Sequence, residues 1–203
     1  NGFMPTTVTP HEDYRETMDL SKLWGTRYKV VEIQPAVDAF TATLFSNKAA
    51  PLERGNITAR CRMVVLFNLA KKMNYLVVGT SNKSELMMGY LTKFGDGAAD
   101  MLPIADLYKT QVREVASIID VPKAIIDKVP TAGLWEGQTD EEEMGITYRD
   151  LDAVLHGIAA GRTDSVVAKD TGVPEVKVAE VRSRSAEMEH KRLPPMIPVV
   201  EFN

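Results

Sequence analysis

The sequence predicts an α/β protein built on an open parallel sheet, and three observations carry that reading. Short apolar runs alternate along the chain with stretches of helical periodicity, the pattern of a layered α/β fold. Tyr75-Leu76-Val77-Val78 is continuously apolar, as strands buried between two helical layers are. That run empties at once into the polar segment Gly79-Thr80-Ser81-Asn82-Lys83-Ser84-Glu85. Open α/β sheets place their ligands there, beyond the carboxyl ends of the strands.

The elements follow in order from local chemistry. Gly2-Phe3-Met4 reads as the end of a strand, stopped by Pro5. Thr9-Pro10-His11-Glu12 reads as a helix start, because Thr9 can cap and proline suits the first helical position. That helix is expected to run to about Leu23 and stop at Gly25. Residues 28–33 read as a strand and residues 35–45 as a short helix. Leu52 and Glu53 read as loop, and Asn56 is expected to open a long helix through Lys72 carrying Ile57, Met63, Val64, Phe67 and Leu69. After the 75–78 strand, residues 106–119 look amphipathic, with Leu107, Val112, Val115 and Ile118 on one side. Thr147-Tyr148-Arg149-Asp150 resembles a capping box and starts a helix to about Ile158. Residues 163–191 form a helical C-terminal segment, broken at Thr171-Gly172-Val173-Pro174. With no repeat, low-complexity tract or linker, a single domain over residues 1–203 is expected.

Composition narrows the function classes. At 203 residues and 44% hydrophobic, the chain can bury a full-sized core. A net charge of -4 argues against a dedicated nucleic-acid binder, which carries a basic excess. The one cysteine, Cys61, excludes an internal disulfide framework and fits a reducing cytosol. Arg60 and Arg62 flank it, but no catalytic partner pattern surrounds it, and a buried structural thiol is the better reading. No apolar run approaches the ~18 residues that a spanning helix needs, so neither membrane nor nucleic acid is expected as a partner, and the setting is expected to be cytoplasmic.

Chemistry concentrates between Gly79 and Asp100. Thr80 and Ser81 are hydroxyl ligands, and Glu85 and Asp96 are hard oxygen donors suited to Mg²⁺. Lys83 and Lys93 can hold phosphate as point charges. A helix opening at Ser81-Asn82-Lys83-Ser84 would add free N–H groups that favour an anion. Against this, Gly95-Asp96-Gly97 is also an ordinary turn, and charged loop residues are usually solvated.

The order of residues resembles one family, the ammonia-dependent NAD synthetases of the N-type ATP pyrophosphatase (adenine nucleotide alpha-hydrolase-like) superfamily. The resemblance runs through Met4-Pro5-Thr6, Arg54 to Met63 (like Gly-Asn-Ile-x-Ala-Arg-x-Arg-Met), Gly79 to Asp100 and Pro103 to Arg113. It continues through Pro130 to Trp135, Gly137-Gln138-Thr139-Asp140-Glu141 and Glu189-His190-Lys191-Arg192. It implies a Rossmann-like doubly wound parallel sheet and an amide-forming ligase. Deamido-NAD (nicotinic acid adenine dinucleotide), ATP and ammonia would give NAD, AMP and pyrophosphate. By the same resemblance, Thr80, Lys109 and Thr131 would bind ATP, Glu85 would bind Mg²⁺, and Lys109, Thr131 and Asp96 would be catalytic. Arg60, Lys93, Asp100, His190 and Lys191 would bind deamido-NAD. Family members of this type form homodimers, and the long helix after Asn56 has apolar residues enough for both core and interface.

The resemblance begins at the family's second strand. The preceding strand and its phosphate-cradling Ser-Gly-Gly-x-Asp-Ser loop are not among these residues. A central strand with about five apolar side chains at ~1.5–3 kcal/mol each is comparable to a whole domain's stability of ~5–15 kcal/mol. These 203 residues alone are therefore expected neither to fold robustly nor to turn over ATP, and a longer protein or a truncated piece of one is the favoured explanation. Other readings are an inactive dinucleotide-binding relative and a glutamine-dependent enzyme with an added amidase domain. A helix-turn-helix DNA binder over residues 165–177 is a further one.

Overall fold

The computed structural model describes residues 1–46 and 48–199. The chain falls into two compact units. The first gathers Asn1–Gly79, Phe94–Met101 and Val129–Gly145; the second gathers Thr80–Lys93, Leu102–Lys128 and the chain from Ile146 onward.

In the first unit, β1 (Gly2–Phe3) pairs in parallel with β2 (Lys29–Val30), with Gly2 opposite Lys29 and Phe3 opposite Val30. Lys29 N donates to Asn1 O and Val31 N to Phe3 O, both at 2.9 Å. Between the strands lies α1 (His11–Leu23); Pro10 stands at its N-cap and Thr9 instead accepts the Thr6 amide. α2 (Gln34–Phe45) and α3 (Pro51–Met73) follow and pack on each other. Met4, Ile33, Val37, Ile57 and Cys61 form the core here, flanked by Val31, Phe45, Val65 and Leu66.

Besides the cap of α1, three sequence expectations need adjustment in this unit. The 28–33 strand shortens to two paired residues, because only Lys29 and Val30 find ladder partners on β1. α3 starts at Pro51 rather than Asn56, since proline fits the first turn and Glu53 reaches back to accept the Ala50 N–H at 2.7 Å. The 75–78 strand reduces to one parallel bridge, Val78 with Met101. Of its side chains Val77 alone is buried, while Tyr75, Leu76 and Val78 are 57%, 68% and 55% exposed. α7 (Asp140–Met144), which no sequence signal had marked, completes the unit, with the Thr139 hydroxyl accepting the Glu142 amide.

The second unit is helical. It comprises α4 (Lys83–Met88), α5 (Lys109–Ile118), α6 (Lys123–Ile126), α8 (Tyr148–Ala159), α9 (Asp164–Thr171), α10 (Glu175–Glu187) and a 3₁₀ turn (Met188–Lys191). α8 is the central element. Tyr148, Leu151, Val154 and Leu155 are completely buried, and α4, α5, α9 and α10 all pack on it. Gly157 lets α9 approach, because a Cβ there would lie 2.8 Å from Val167 Cγ2. Thr147 caps α8 as its sequence predicts, accepting the Asp150 amide at 3.2 Å. Gly172 ends α9 with φ +76. The arginines of α10 are engaged within the unit: Arg182 pairs with Asp164 at 2.6 Å and Arg184 donates to the Met88 carbonyl at 3.2 Å. The helix-turn-helix reading is therefore not favoured. No described helix is long and apolar enough to cross a membrane.

Candidate active site

The polar segment after Val78 folds as its composition suggests. Asn82 caps α4: its side chain accepts the Glu85 amide and the Glu85 carboxylate accepts the Asn82 amide, each at 3.0 Å. This reciprocal pair fixes Glu85 in the first turn, where a carboxylate also meets the positive end of the helix. The other Glu85 oxygen accepts Lys109 Nζ at 3.1 Å. Lys109, the first residue of α5, holds its ammonium 5.2 Å from the centre of the Tyr148 ring on α8. Both members of the pair are more than three-quarters buried.

Lys83 is engaged differently from its neighbour. Its ammonium pairs with Asp106 at 2.9 Å and lies 5.0 Å from the Tyr108 ring centre. The hydrogen bond to Asp106 pushes the lysine above its ordinary range, and the same bond holds the Asp106 carboxyl below its own. Thr80 is exposed, just ahead of α4, while Ser81 is buried. Lys93 Nζ donates to the His190 carbonyl at 2.7 Å, which brings two of the predicted dinucleotide-binding residues together. Lys191 Nζ donates to the carbonyls of Gly89 and Leu91 at 2.7 and 3.0 Å.

In the first unit, Arg60 is exposed on α3. The Asp100 carboxylate accepts the Val77 amide at 2.7 Å, tying it to the end of the 75–78 segment. Thr131 Oγ1 accepts the Gly133 amide at 3.0 Å. Asp96 is exposed in the turn after Phe94, and its charge opposes the fall that burial imposes on the Arg62 guanidinium. Phe94 adopts φ +60, a left-handed conformation that bulky residues rarely take.

Sequence reasoning missed Asp152. It sits on α8 one turn after Tyr148, buried, and it binds both Ser84 and the Thr110 amide. Its only local signal is an aspartate among the apolar positions of that helix. Among the described residues no three His, Cys, Asp or Glu side chains gather as a metal cage.

A sequence model of NAD synthase matches residues 2–195. The chain belongs to the NAD synthase family. Among curated relatives, the NH(3)-dependent NAD(+) synthetase of Methanococcoides burtonii is 40% identical, over 96% of this chain and 74% of that protein. The NH(3)-dependent NAD(+) synthetase of Pyrococcus furiosus is 43% identical, over 96% of this chain and 77% of that protein. Among solved structures, NMN synthetase from Francisella tularensis superposes with a TM-score of 0.83 at 37% identity, over 97% of this chain and 77% of that one. An NH3-dependent NAD synthetase from Campylobacter jejuni superposes with a TM-score of 0.79 at 26% identity, over 98% of this chain and 76% of that one. As an NAD synthase family member, this chain has the adenine nucleotide alpha-hydrolase-like architecture that its sequence predicted.

Proposed function

We propose that this protein is an ammonia-dependent ligase that amidates deamido-NAD to NAD at the expense of ATP. The observation that carries the reading is the partly buried Lys109–Glu85 pair, a cation and a carboxylate joined at the first turns of two helices. It lies in residues that match the family pattern. A carboxylate is a poor acyl donor to ammonia, since its leaving group would be an oxide. Attack of the carboxylate oxygen on the α-phosphorus of ATP expels pyrophosphate and leaves an acyl-adenylate. Ammonia then attacks the acyl carbon, the C–O bond breaks, AMP departs and the nitrogen loses its proton.

Each residue has a role suited to its chemistry. Lys109, with Thr131 and Thr80, binds ATP and neutralises charge that builds on the phosphates. Arg60, Lys93, Asp100, His190 and Lys191 serve deamido-NAD, with Arg and Lys toward phosphate oxygens and Asp toward ribose hydroxyls. Lys109, Thr131 and Asp96 form the catalytic set. Mg²⁺ fits the donors present, since it is usually held by one or two carboxylates together with substrate phosphates and water. Glu85 would hold it, and the ion would supply further charge neutralisation. Alignment of the reactants is worth ~7–11 kcal/mol in such reactions.

Three extensions belong to the same reading. A homodimer is supported by exposed Phe40, Leu44, Leu52 and Val64 on α2 and α3; light scattering that gives the mass of one chain would contradict it. A further parallel strand beside the 75–78 segment is supported by that segment's single bridge, Val78 with Met101. In a longer protein carrying it, the amides of that segment exchange slowly with solvent; fast exchange would count against it. A cytoplasmic setting fits the single thiol.

Steady-state assays on the full-length protein with ATP, ammonium and deamido-NAD test the assignment. NAD and AMP are expected, and Lys109→Ala is expected to lower kcat/KM on the order of 10²–10³-fold, as loss of one preorganised electrostatic group does. A Lys109→Ala protein as fast as wild type would refute the site. The likeness to NMN synthetase favours a second reading, in which the mononucleotide carboxylate is the substrate. Comparing kcat/KM for mononucleotide and dinucleotide in one assay decides between them.

A further inference from the structure

Lys109 is held by more than its ion pair. The Ser84 hydroxyl, completely buried in α4, donates its proton to Asp152 and accepts the backbone N–H of Lys109 at 3.0 Å. The other Asp152 oxygen accepts the Thr110 N–H at 2.8 Å. Lys109 and Thr110 are the first two residues of α5, where helix geometry leaves amides without intrahelical acceptors. One serine and one aspartate thus supply those acceptors from two other helices. Asp152, only 5% exposed, also places its charge at the favourable end of α5. Tyr148, one turn earlier on α8, lies under the Lys109 ammonium.

We infer that Ser84 and Asp152 are positioning residues, which set Lys109 against Glu85 through a three-helix joint of α4, α5 and α8. The geometry is specific. Ser84 adjoins Glu85 in sequence, so a single turn of α4 carries both the carboxylate that pairs with the Lys109 side chain and the hydroxyl that fixes its backbone. A hydroxyl has one proton to give, and here it goes to Asp152, leaving lone pairs for the Lys109 amide. Removing the serine leaves a buried carboxylate short of a donor and a helix amide short of an acceptor. Changing Asp152 to Asn keeps the shape and reverses that proton: the new amide donates to Ser84, whose hydroxyl must turn elsewhere. In both cases α5 is free to shift, and a displacement of about 1 Å at a phosphate-binding lysine can cost about 10²-fold in rate.

This inference rests on the amidating function proposed for Lys109, and the experiment separates the two. Ser84→Ala, Asp152→Asn, Lys109→Ala and the Ser84→Ala/Lys109→Ala double variant are assayed in the full-length protein for kcat, both KM values and thermal midpoint. In wild-type protein, amide exchange is followed at Lys109 and Thr110. Ser84→Ala and Asp152→Asn are expected to lower kcat on the order of 10–100-fold, with the KM for deamido-NAD unchanged and the protein folded. In the Lys109→Ala background, Ser84→Ala is expected to add less than about 2-fold, because coupled residues are non-additive. The Lys109 and Thr110 amides are expected among the slowest-exchanging of α5. Full kcat in both single variants overturns the joint, as does the same loss with and without Lys109. If neither variant folds, fast wild-type exchange at those two amides overturns it and slow exchange supports it. Wild-type rates in Lys109→Ala would refute the function assigned to the lysine while leaving the exchange result to judge the joint.

Discussion

Cys61 and Asp152 show how differently two buried residues can be read. Cys61 follows Ile57 by one helical turn and packs with Met4, Ile33 and Val37, so its neighbours already signal an interior position. Burial pushes its thiol above the ordinary value of 9.0. The folded state therefore keeps its proton to higher pH than the unfolded chain does. The stability linked to that proton is fully present below the unfolded value and is lost as pH rises through the folded one. A maleimide or iodoacetamide titration is expected to label Cys61 slowly at pH 8 in native protein and rapidly in denaturant; equal rates would contradict its burial. Asp152 gives no comparable signal. Its one local signal is its place among the apolar positions of α8; its partners lie 68 and 42 residues away in the chain, at Ser84 and Thr110. Glu85 and Lys109 were legible as residue types within a motif, whereas their pairing depends on where α4 and α5 meet.

α4 is the element on which the proposed site turns, and at six residues it is far below the length at which a helix is stable alone. Its start is self-contained, through Asn82 and Glu85, and the Ser-Asn-Lys-Ser sequence made that start legible. Its end depends on distant cations. The carbonyls of Met87, Met88 and Gly89 accept Arg192, Arg184 and Lys191 respectively, a favourable use of positive charge at a helix C-terminus. Gly89 takes φ +60 there, with the Met188 side chain packed where a Cβ would stand. Lys191→Met is expected to destabilise the protein by about 1.5–3 kcal/mol, the worth of charge-assisted hydrogen bonds, measured by urea unfolding. It is also expected to weaken ATP binding along with deamido-NAD binding, because α4 carries Glu85. Weakened dinucleotide binding at unchanged stability would instead assign Lys191 to the ligand alone. None of this could be read from the C-terminal sequence, where His190-Lys191 stands as a basic pair near an exposed segment. The start of α3, expected at Asn56, lies earlier, and Gly55 sits inside the helix where Leu134 packs, with a Cβ position only 2.9 Å from Leu134 Cδ1.

For the molecule as a whole, the alternation of apolar runs and periodic helices was enough to predict the α/β class, and the motif order was enough to predict the family. The extent of the sheet was less legible. A continuously apolar run reads as a strand flanked on both sides, but Tyr75–Val78 pairs only at Val78 with Met101, and three of its four side chains are exposed. Conversely, the start of α8 was legible at Thr147, whereas its central place in the packing, through Leu151, Val154 and Leu155 at helical spacing, is a finding of the structure. What the site does with ATP is the central claim, and the fate of one oxygen atom tests it most directly. Deamido-NAD labelled with ¹⁸O in its carboxylate, turned over with ATP and ammonia, is expected to deliver one labelled oxygen to AMP and none to pyrophosphate. The acyl C–O bond breaks while the O–P bond to the α-phosphorus survives. Label in inorganic phosphate with release of ADP would contradict the account, because the carboxylate would then have been activated at the γ-phosphate.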